Sequence, residues 1–429
     1  MAAPELDVAA RARSRIAGRL LPFLFALYVA NYLDRTNIAY ATLGMKGELG
    51  LTDEVFGTAS GIFFIGYLAL QIPGALLVER WSARLLLAST LIAWGALTVL
   101  TGFVRTRLEL YGARLLLGAA EAAFFPAVIV YLSHWFVFQD RAKAVARFMS
   151  AIPVAAIIGG PLAGVILGVQ WLGLAGWRWL FFLEGVPAVL LGIATLFALP
   201  DRPNEARWLR ANERDWLSAQ LAEERQAKTD AAQVSTWRAL RSWPVVLLTT
   251  ALLFCYAGGY AFWFWMPTML QRMTGWTDLQ RIGLISSIPF LAGLAGMLLV
   301  GWNSDRTAER RWHFAIPQLT AAAALVAWLL LPHTNAVLLI VAFTLVGFGT
   351  SAHLPAFWAL PTTFLSASAA AAAVGFINCI ASIGGFFGPK IIGTLSQRTG
   401  SFDAGFIFMS GCLIIASVLV LLCPRTRTA

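Results

Sequence analysis

The chain has 429 residues, 59% of them hydrophobic and only 13% charged, with a mean hydropathy of +0.72. That balance excludes an ordinary soluble domain and implies a surface that faces lipid over much of its area. The net charge of +10 is confined mostly to short polar segments between apolar runs, so it reports orientation across a membrane and does not point to nucleic acid.

The polar arm from Met1 to Arg19 carries Arg11, Arg13, Arg15 and Arg19 and shows no small-residue cleavage site after a short apolar core, so the first apolar run is expected to be retained. Apolar runs long enough to cross the hydrocarbon core predict helices near residues 18–40, 55–78, 85–103, 108–132, 144–169 and 177–199. A second set follows near 243–270, 281–302, 312–331, 335–361, 368–393 and 403–423. The fold class expected is therefore an all-α integral membrane protein with twelve transmembrane helices in two pseudo-symmetric six-helix bundles. Residues 1–199 form the N-terminal bundle, 200–242 a linker, and 243–429 the C-terminal bundle. The linker is the longest polar stretch, with Trp208, Leu209, Trp216 and Leu217 as an amphipathic hint.

Lysine and arginine in short loops stay on the cytoplasmic side. With both termini inside, that side collects about 22 of the 32 basic residues, which predicts cytoplasmic termini. Cys255, Cys379, Cys412 and Cys423 sit inside apolar runs without CxxC spacing, so neither a metal site nor a disulfide framework is indicated. They read as small packing residues.

Gly74 to Arg84 (GALLVERWSAR) and Gly301 to Arg311 (GWNSDRTAERR) both place an acid-arginine pair just after an even-numbered helix. Glu79 and Arg80 in one half answer Asp305 and Arg306 in the other. With Arg84 they are candidates for a cytoplasmic gate, in which the acid caps a neighbouring helix and the arginines bridge helices.

Ionisable residues inside a span are costly, about 3 kcal/mol each at the bilayer centre, so they are the informative positions. Asp34 and Arg35 interrupt the first helix; they point about 100° apart and each calls for partners on another helix. Their alternative role is a structural ion pair between helices. In the fourth helix Arg114 and Glu121 are seven residues, or about 10.5 Å, apart along one face. Gly118, Ala119 and Ala120 between them permit close approach of another backbone. Glu121 is suited to exchange a proton, and Arg114 to hold an anion or bias that proton.

NYLDRTNIAYA (Asn31 to Ala41), RLLLGAAEAAFFP (Arg114 to Pro126), the RWSAR loop, FWALPTTFL and GFINCIASIGGFFGP resemble the anion:cation symporter family within the major facilitator superfamily over nearly the whole chain. The resemblance implies that Asp34 and Glu121 are proton-coupling acids and that Arg35 and Arg114 are cavity arginines. It further implies that Tyr67, Trp358 and Asn378 line the cavity, where the alternative is ordinary packing. The chain departs from related sugar-acid carriers at Ile152 or Pro153, where they have a cavity glutamine. The aromatic cluster Phe262 to Trp265 reads as packing, or as lining for a flatter carboxylate. Lys390 is read as snorkelling to the interface. His353 is left out of the coupling set, and Glu184 with Arg178 reads as a structural pair.

The function expected is a multi-pass transporter of the bacterial inner membrane that imports a small organic anion with protons by alternating access. No cofactor and no nucleic acid are expected, and the resemblance implies a monomer. Tartrate-like, sugar-acid, aromatic-acid and dicarboxylate anions all suit the same arginines. The alternatives are a drug-proton antiporter on the same fold and a membrane sensor. Motifs of a Ser-His-Asp triad, HExxH or a phosphate loop are missing, which argues against an enzyme.

Overall fold

A computed structural model describes residues 3–229, 240–331, 335–365 and 367–424. Twelve helices among them are long and apolar enough to cross a membrane. The first six spans comprise α1 (Ala3–Leu49), α2 (Asp53–Arg80), α3 (Ala83–Thr101), α4 (Arg107–Glu121) with α5 (Phe124–Trp135), α6 (Phe138–Met149) with α7 (Ala151–Leu167), and α8 (Gly176–Ala198). A linker helix, α9 (Ala211–Thr229), follows. The second six are α10 (Trp243–Thr274), α11 (Leu279–Thr307), α12 (Arg311–Leu330), α13 (Ala336–Ala352) with α14 (Leu354–Ala359), α15 (Ala367–Thr399) and α16 (Asp403–Leu421). An even number of spans leaves both chain ends on one face, here called the terminal face; the opposite one is the distal face.

Local chemistry sets the helix ends. The side chains of Thr52, Ser82, Thr106, Asp278 and Asn335 each accept from a backbone N–H in the first turn that follows. Gly275 closes α10 in the left-handed region at φ 70°, which suits a residue with no Cβ. Large apolar side chains such as Ile72, Leu100, Phe197, Leu298 and Leu330 are exposed, as a lipid-facing belt requires.

Within the N-terminal half α3 packs on α8, α2 on α4, and α1 on α7 and α8; within the C-terminal half α10 packs on α15 and α16, α11 on α13, and α12 on α16. The halves meet along α2 with α15 and α7 with α11, and α1 touches α10. At the α7–α11 crossing the approach is between backbones: a Cβ on Gly160 would lie 2.5 Å from the Gly283 carbonyl oxygen, and one on Gly283 would lie 2.2 Å from that of Gly160.

Two features of the terminal face differ from the sequence expectation. Helix α1 begins at Ala3, well before residue 18, and the linker folds into α9, which packs on it. The reason is the amphipathic pattern around Trp208 and Trp216. Leu209, Leu217 and Leu221 are buried, Trp208 stacks on Trp135 at 5.6 Å, and Arg13 lies 5.6 Å over Trp216. Arg15 pairs with Glu213 at 3.1 Å and Arg141 with Glu224 at 3.1 Å, fastening α9 to α1 and to the first turn of α6.

Candidate functional site

Spacing on α1 sends Asp34 and Arg35 to different neighbours. Arg35 turns to α4, where Nε and Nη2 donate to the same Glu121 oxygen, Oε2, at 3.1 and 2.8 Å. Its guanidinium also lies 5.3 Å over the Phe63 ring and 5.1 Å over Tyr67, both from α2. Arg114 is fully buried and lies 5.0 Å over the same Phe63 ring. Its Nε donates to the Ala59 carbonyl at 3.4 Å, while Nη1 and Nη2 have no protein partner. Two cations therefore share one aromatic ring, and one of the two is neutralised by a buried carboxylate.

That arrangement depends on α2 and α4 lying almost in contact. A Cβ on Gly118 would lie 1.9 Å from the Phe63 carbonyl oxygen, so only glycine lets Phe63 slip beneath the arginines. Glu121 is the last residue of α4; the Ala122 N–H bonds back to Ala119, and the span resumes as α5 at Phe124. The break fixes the carboxylate at mid-span, fully out of solvent.

Asp34 points the other way, toward Trp94 and Thr98 of α3 and Glu184 of α8. It is fully buried, and neither of its oxygens accepts a hydrogen bond by distance and angle. A charged partner on another helix is thus bound by Arg35, whereas among the described residues Asp34 forms no ion pair and has the neutral Trp94 and Thr98 beside it. Nor is Glu184 the partner of Arg178. Arg178 binds Glu48 at 2.8 Å and the carbonyls of Gly102 and Val104 at 2.7 and 3.3 Å, because it lies in the first turn of α8, at the distal face. Glu184 lies nearly two turns deeper.

Of the three residues expected to line the cavity, Tyr67 joins Arg35 directly. Asn378 joins through aromatic relays: it accepts a 2.9 Å bond from Tyr256, Tyr256 meets Tyr260 at 5.2 Å, and Tyr260 meets Phe64 at 4.6 Å. Phe64 meets Phe63 at 5.4 Å. Trp358 packs on Phe357 in an apolar cluster of the C-terminal half against which Tyr256 also packs. The α10 aromatics splay around their helix, with Phe262 edge-on to Trp263 at 5.0 Å, Trp263 stacked on Phe290 at 4.1 Å and Trp265 edge-on to Phe56 at 4.8 Å. Lys390 lies 5.2 Å over Phe386, and buried His353 meets Cys255 at 3.1 Å. Phe63, Tyr256 and Tyr260 escaped the sequence reading because their side chains carry no charge.

On the terminal face, the side chains of Glu79 and Arg80 lie outside the described residues. Asp305 pairs with Arg310 at 2.6 Å, Arg306 lies 5.5 Å over Trp302, and Arg84 reaches Asp201 at 3.7 Å. Among the described residues, two other acids bond to the starts of α3 and α12. Asp201 accepts from the Arg84 N–H at 2.9 Å and from the Ser82 hydroxyl; Glu309 accepts from the N–H groups of Arg311, Trp312 and His313. Asp201 holds that position because α8 runs beside α3 and delivers the following residue to the start of α3.

Among the described residues, the ionic tie between the halves lies on the distal face, where Asp53 at the start of α2 receives Arg272 from the end of α10 at 2.7 and 2.5 Å. Lys46 also donates to Asp53, Ser396 of α15 donates to it at 2.7 Å, and Gln397 accepts from its N–H at 3.1 Å. In the sequence Lys46 and Arg272 stand out only as charges at the ends of apolar runs. The signal available was an acid in the first turn of one span facing basic residues at the ends of two others.

Residues 24–389 match the family model of the Major Facilitator Superfamily. A putative tartrate transporter of Agrobacterium vitis is 39% identical over 421 residues, 98% of this chain and 96% of that protein. A quinolone resistance transporter of Acinetobacter baumannii is 34% identical over 404 residues, 94% and 92% of the two chains. Among solved structures, a bacterial homologue of the human lysosomal transporter Spinster, in an inward-facing and occupied conformation, superposes with a TM-score of 0.77 at 18% identity, over 95% of this chain and 96% of that one.

Proposed function

Because this chain belongs to the Major Facilitator Superfamily, whose members are transporters and not enzymes, we propose that it imports a small carboxylate together with protons across the bacterial inner membrane, its termini in the cytoplasm. The observation that carries this reading is the Arg35–Glu121 pair beside the unpaired Arg114. Two arginines suit an anion, and one of them is occupied by a carboxylate that a proton can dismiss.

The sequence of events follows from that competition. With Glu121 ionised, Arg35 is spoken for and an incoming carboxylate meets one free guanidinium and one repelling acid. A proton on Glu121 removes the repulsion and releases Arg35. The substrate carboxylate then takes the place of Glu121, held by Arg35 and Arg114, while Tyr67 and the Tyr256–Asn378 pair offer hydroxyl and amide groups to the rest of the molecule. Proton and anion favour the same state, which is what symport needs. Asp34 is proposed as a second proton-coupling acid, and Trp358 as a wall of the cavity farther from the arginines.

Alternating access is assigned to the seam between the halves. Asp53 and Arg272 fasten the distal face, and the proposal reads this as the closed side of an inward-facing state. Arg84, Asp305 and Arg306, with Glu79 and Arg80, are proposed to form the tie of the opposite state. The resemblance to a tartrate transporter makes tartrate the first substrate to try. Uptake of labelled tartrate and related carboxylates into proteoliposomes, with and without an inward-directed proton gradient, tests the proposal; uptake that ignores the gradient contradicts it.

A drug-proton antiporter is the second reading, favoured by the quinolone-resistance relative. It predicts export driven by an opposed proton gradient and survival of transport without Arg35 and Arg114.

A further inference from the structure

Glu184 is a buried acid that the transport cycle above does not use. It is 7% exposed, its Oε2 accepts no hydrogen bond, and the cation expected beside it is bound elsewhere. Around it lies a group of buried polar side chains equally short of partners. Asp34 and Asn37 on α1 are 0% and 2% exposed, and Thr98 on α3 is 0% exposed; both Asp34 oxygens, both Asn37 amide atoms, the Thr98 hydroxyl and the Trp94 indole N–H lack hydrogen bonds of good geometry.

The charges that reach this group are few. Asp34 faces Glu184 from α8, Glu121 and Arg114 from α4, and the neutral Trp94 and Thr98 from α3; Arg35, its neighbour in the chain, is turned to Glu121. Glu184 faces Asp34, Asn37 and Tyr40, all from α1. Of the other helices packed on α8, α7 has no titratable residue and α3 has only Arg84, in its first turn. No cation lies beside Glu184 among the described residues. Two ionised carboxylates in such surroundings repel strongly and lack the water that would screen them.

We propose that Asp34 and Glu184 hold one proton between them, forming a second proton site on the α3–α8 side of α1, apart from the Arg35–Glu121 pair. Asn37 and Thr98 solvate the site, each able to donate to the ionised carboxylate or accept from the protonated one. Moving the proton breaks one carboxyl O–H bond and forms the other, leaving the net charge of the pair unchanged. Tyr40 extends the site toward the seam between the halves. It is buried, it neighbours Glu184 and Ser286 of α11, and its hydroxyl lies against Gly160, where α7 crosses α11. The state of the site is thereby felt where the halves must slide. The proton site rests on the burial of Asp34 and Glu184, their missing partners and the packing of α1 on α8; only its use in transport rests on the symport reading.

The test is infrared difference spectroscopy of the purified full-length protein in liposomes, stepped in pH in sodium-free buffer. The wild-type protein is expected to show C=O stretching from protonated buried carboxyl groups, and Glu184→Gln to lose part of it. Asp34→Asn, which keeps Glu184, is expected to move the pH at which the remaining band disappears. A Glu184→Gln spectrum that matches wild type across the titration overturns the proposal, as does an Asp34→Asn titration unchanged in midpoint. Loss of the band on adding sodium at constant pH overturns it also, since the site then takes a metal cation. Glu121→Gln in the same series separates the two readings: a silent Glu121 beside a responsive Glu184 sinks the Glu121 mechanism and leaves this site standing.

Discussion

Arg35 reaches Glu121 through one carboxylate oxygen only, with Nε at 3.1 Å and Nη2 at 2.8 Å. The other oxygen, Oε1, accepts no hydrogen bond of good geometry. A bidentate pair would use both oxygens and hold harder. This one leaves a lone pair free for a proton at the position where protonation releases the arginine.

The two arginines are predicted to differ in what their loss does to stability. Arg35→Met leaves the Glu121 charge buried without its partner, and removing one member of a buried pair costs about 3–5 kcal/mol. Arg114→Met removes a buried cation whose Nη1 and Nη2 are unpaired, so its thermal midpoint is expected to equal or exceed that of wild type. Both variants are expected to lose carboxylate binding. Thermal unfolding in detergent with calorimetric titration of tartrate checks this, and a fall in stability for Arg114→Met of the size seen for Arg35→Met contradicts it.

Cutting the distal tie is predicted to shift the protein toward the outward-open state. Arg272→Ala removes two charge-assisted bonds to Asp53, each about 1.5–3 kcal/mol before discounting for the partial exposure of Arg272. A net change of about 1.4 kcal/mol already moves the ratio of states tenfold. Spin labels placed across the distal ends of α2 and α15 should report longer distances; an unchanged distribution rules out a gating role for this tie.

Gly118→Ala is predicted to separate α2 from α4. The added methyl meets a backbone carbonyl and not a flexible side-chain tip, so the helices must move, at about 1–3 kcal/mol. Because Phe63 sits under both arginines, carboxylate affinity should fall along with thermal stability. Unaltered affinity in a destabilised variant would separate packing from the site.

At the terminal face the start of α12 depends on Glu309. Partial burial pushes its carboxyl upward, but hydrogen bonds from the Trp312 and His313 N–H groups, the His313 ring and the Arg311 N–H outweigh this and hold it below the usual carboxylate range. A depressed acid stabilises the fold above its unfolded value, and that contribution disappears as pH falls through the lower folded value. The stability difference between wild type and Glu309→Gln should therefore shrink on acidification below the usual carboxylate range. A difference that grows as pH falls contradicts the capping role.

The spans and the four charged positions of the first and fourth helices were legible in the sequence because a bilayer makes both conspicuous, one by length and the other by cost. Which charges pair was not. Spacing along α4 kept Arg114 and Glu121 apart, but nothing local says that Arg35 takes Glu121 while Asp34 is left to α3 and α8. Glu184 was assigned to Arg178 because the two are close in sequence, whereas the helix carries one to the distal rim and buries the other. Neutral rings such as Phe63 and Tyr260 leave no trace in a search for costly groups. The folding of α9 was hinted at by Trp208 and Trp216, and its docking depends on Arg13, Arg15 and Trp135, distant in sequence.

Binding of tartrate to wild type and Glu121→Gln as a function of pH tests the central claim most directly. The account predicts that wild-type affinity weakens as pH rises, because the ionised Glu121 reclaims Arg35, and that Glu121→Gln binds with an affinity less sensitive to pH than wild type while no longer accumulating tartrate against a gradient. Wild-type affinity that strengthens with rising pH, or a Glu121→Gln protein that still couples uptake to protons, would contradict it.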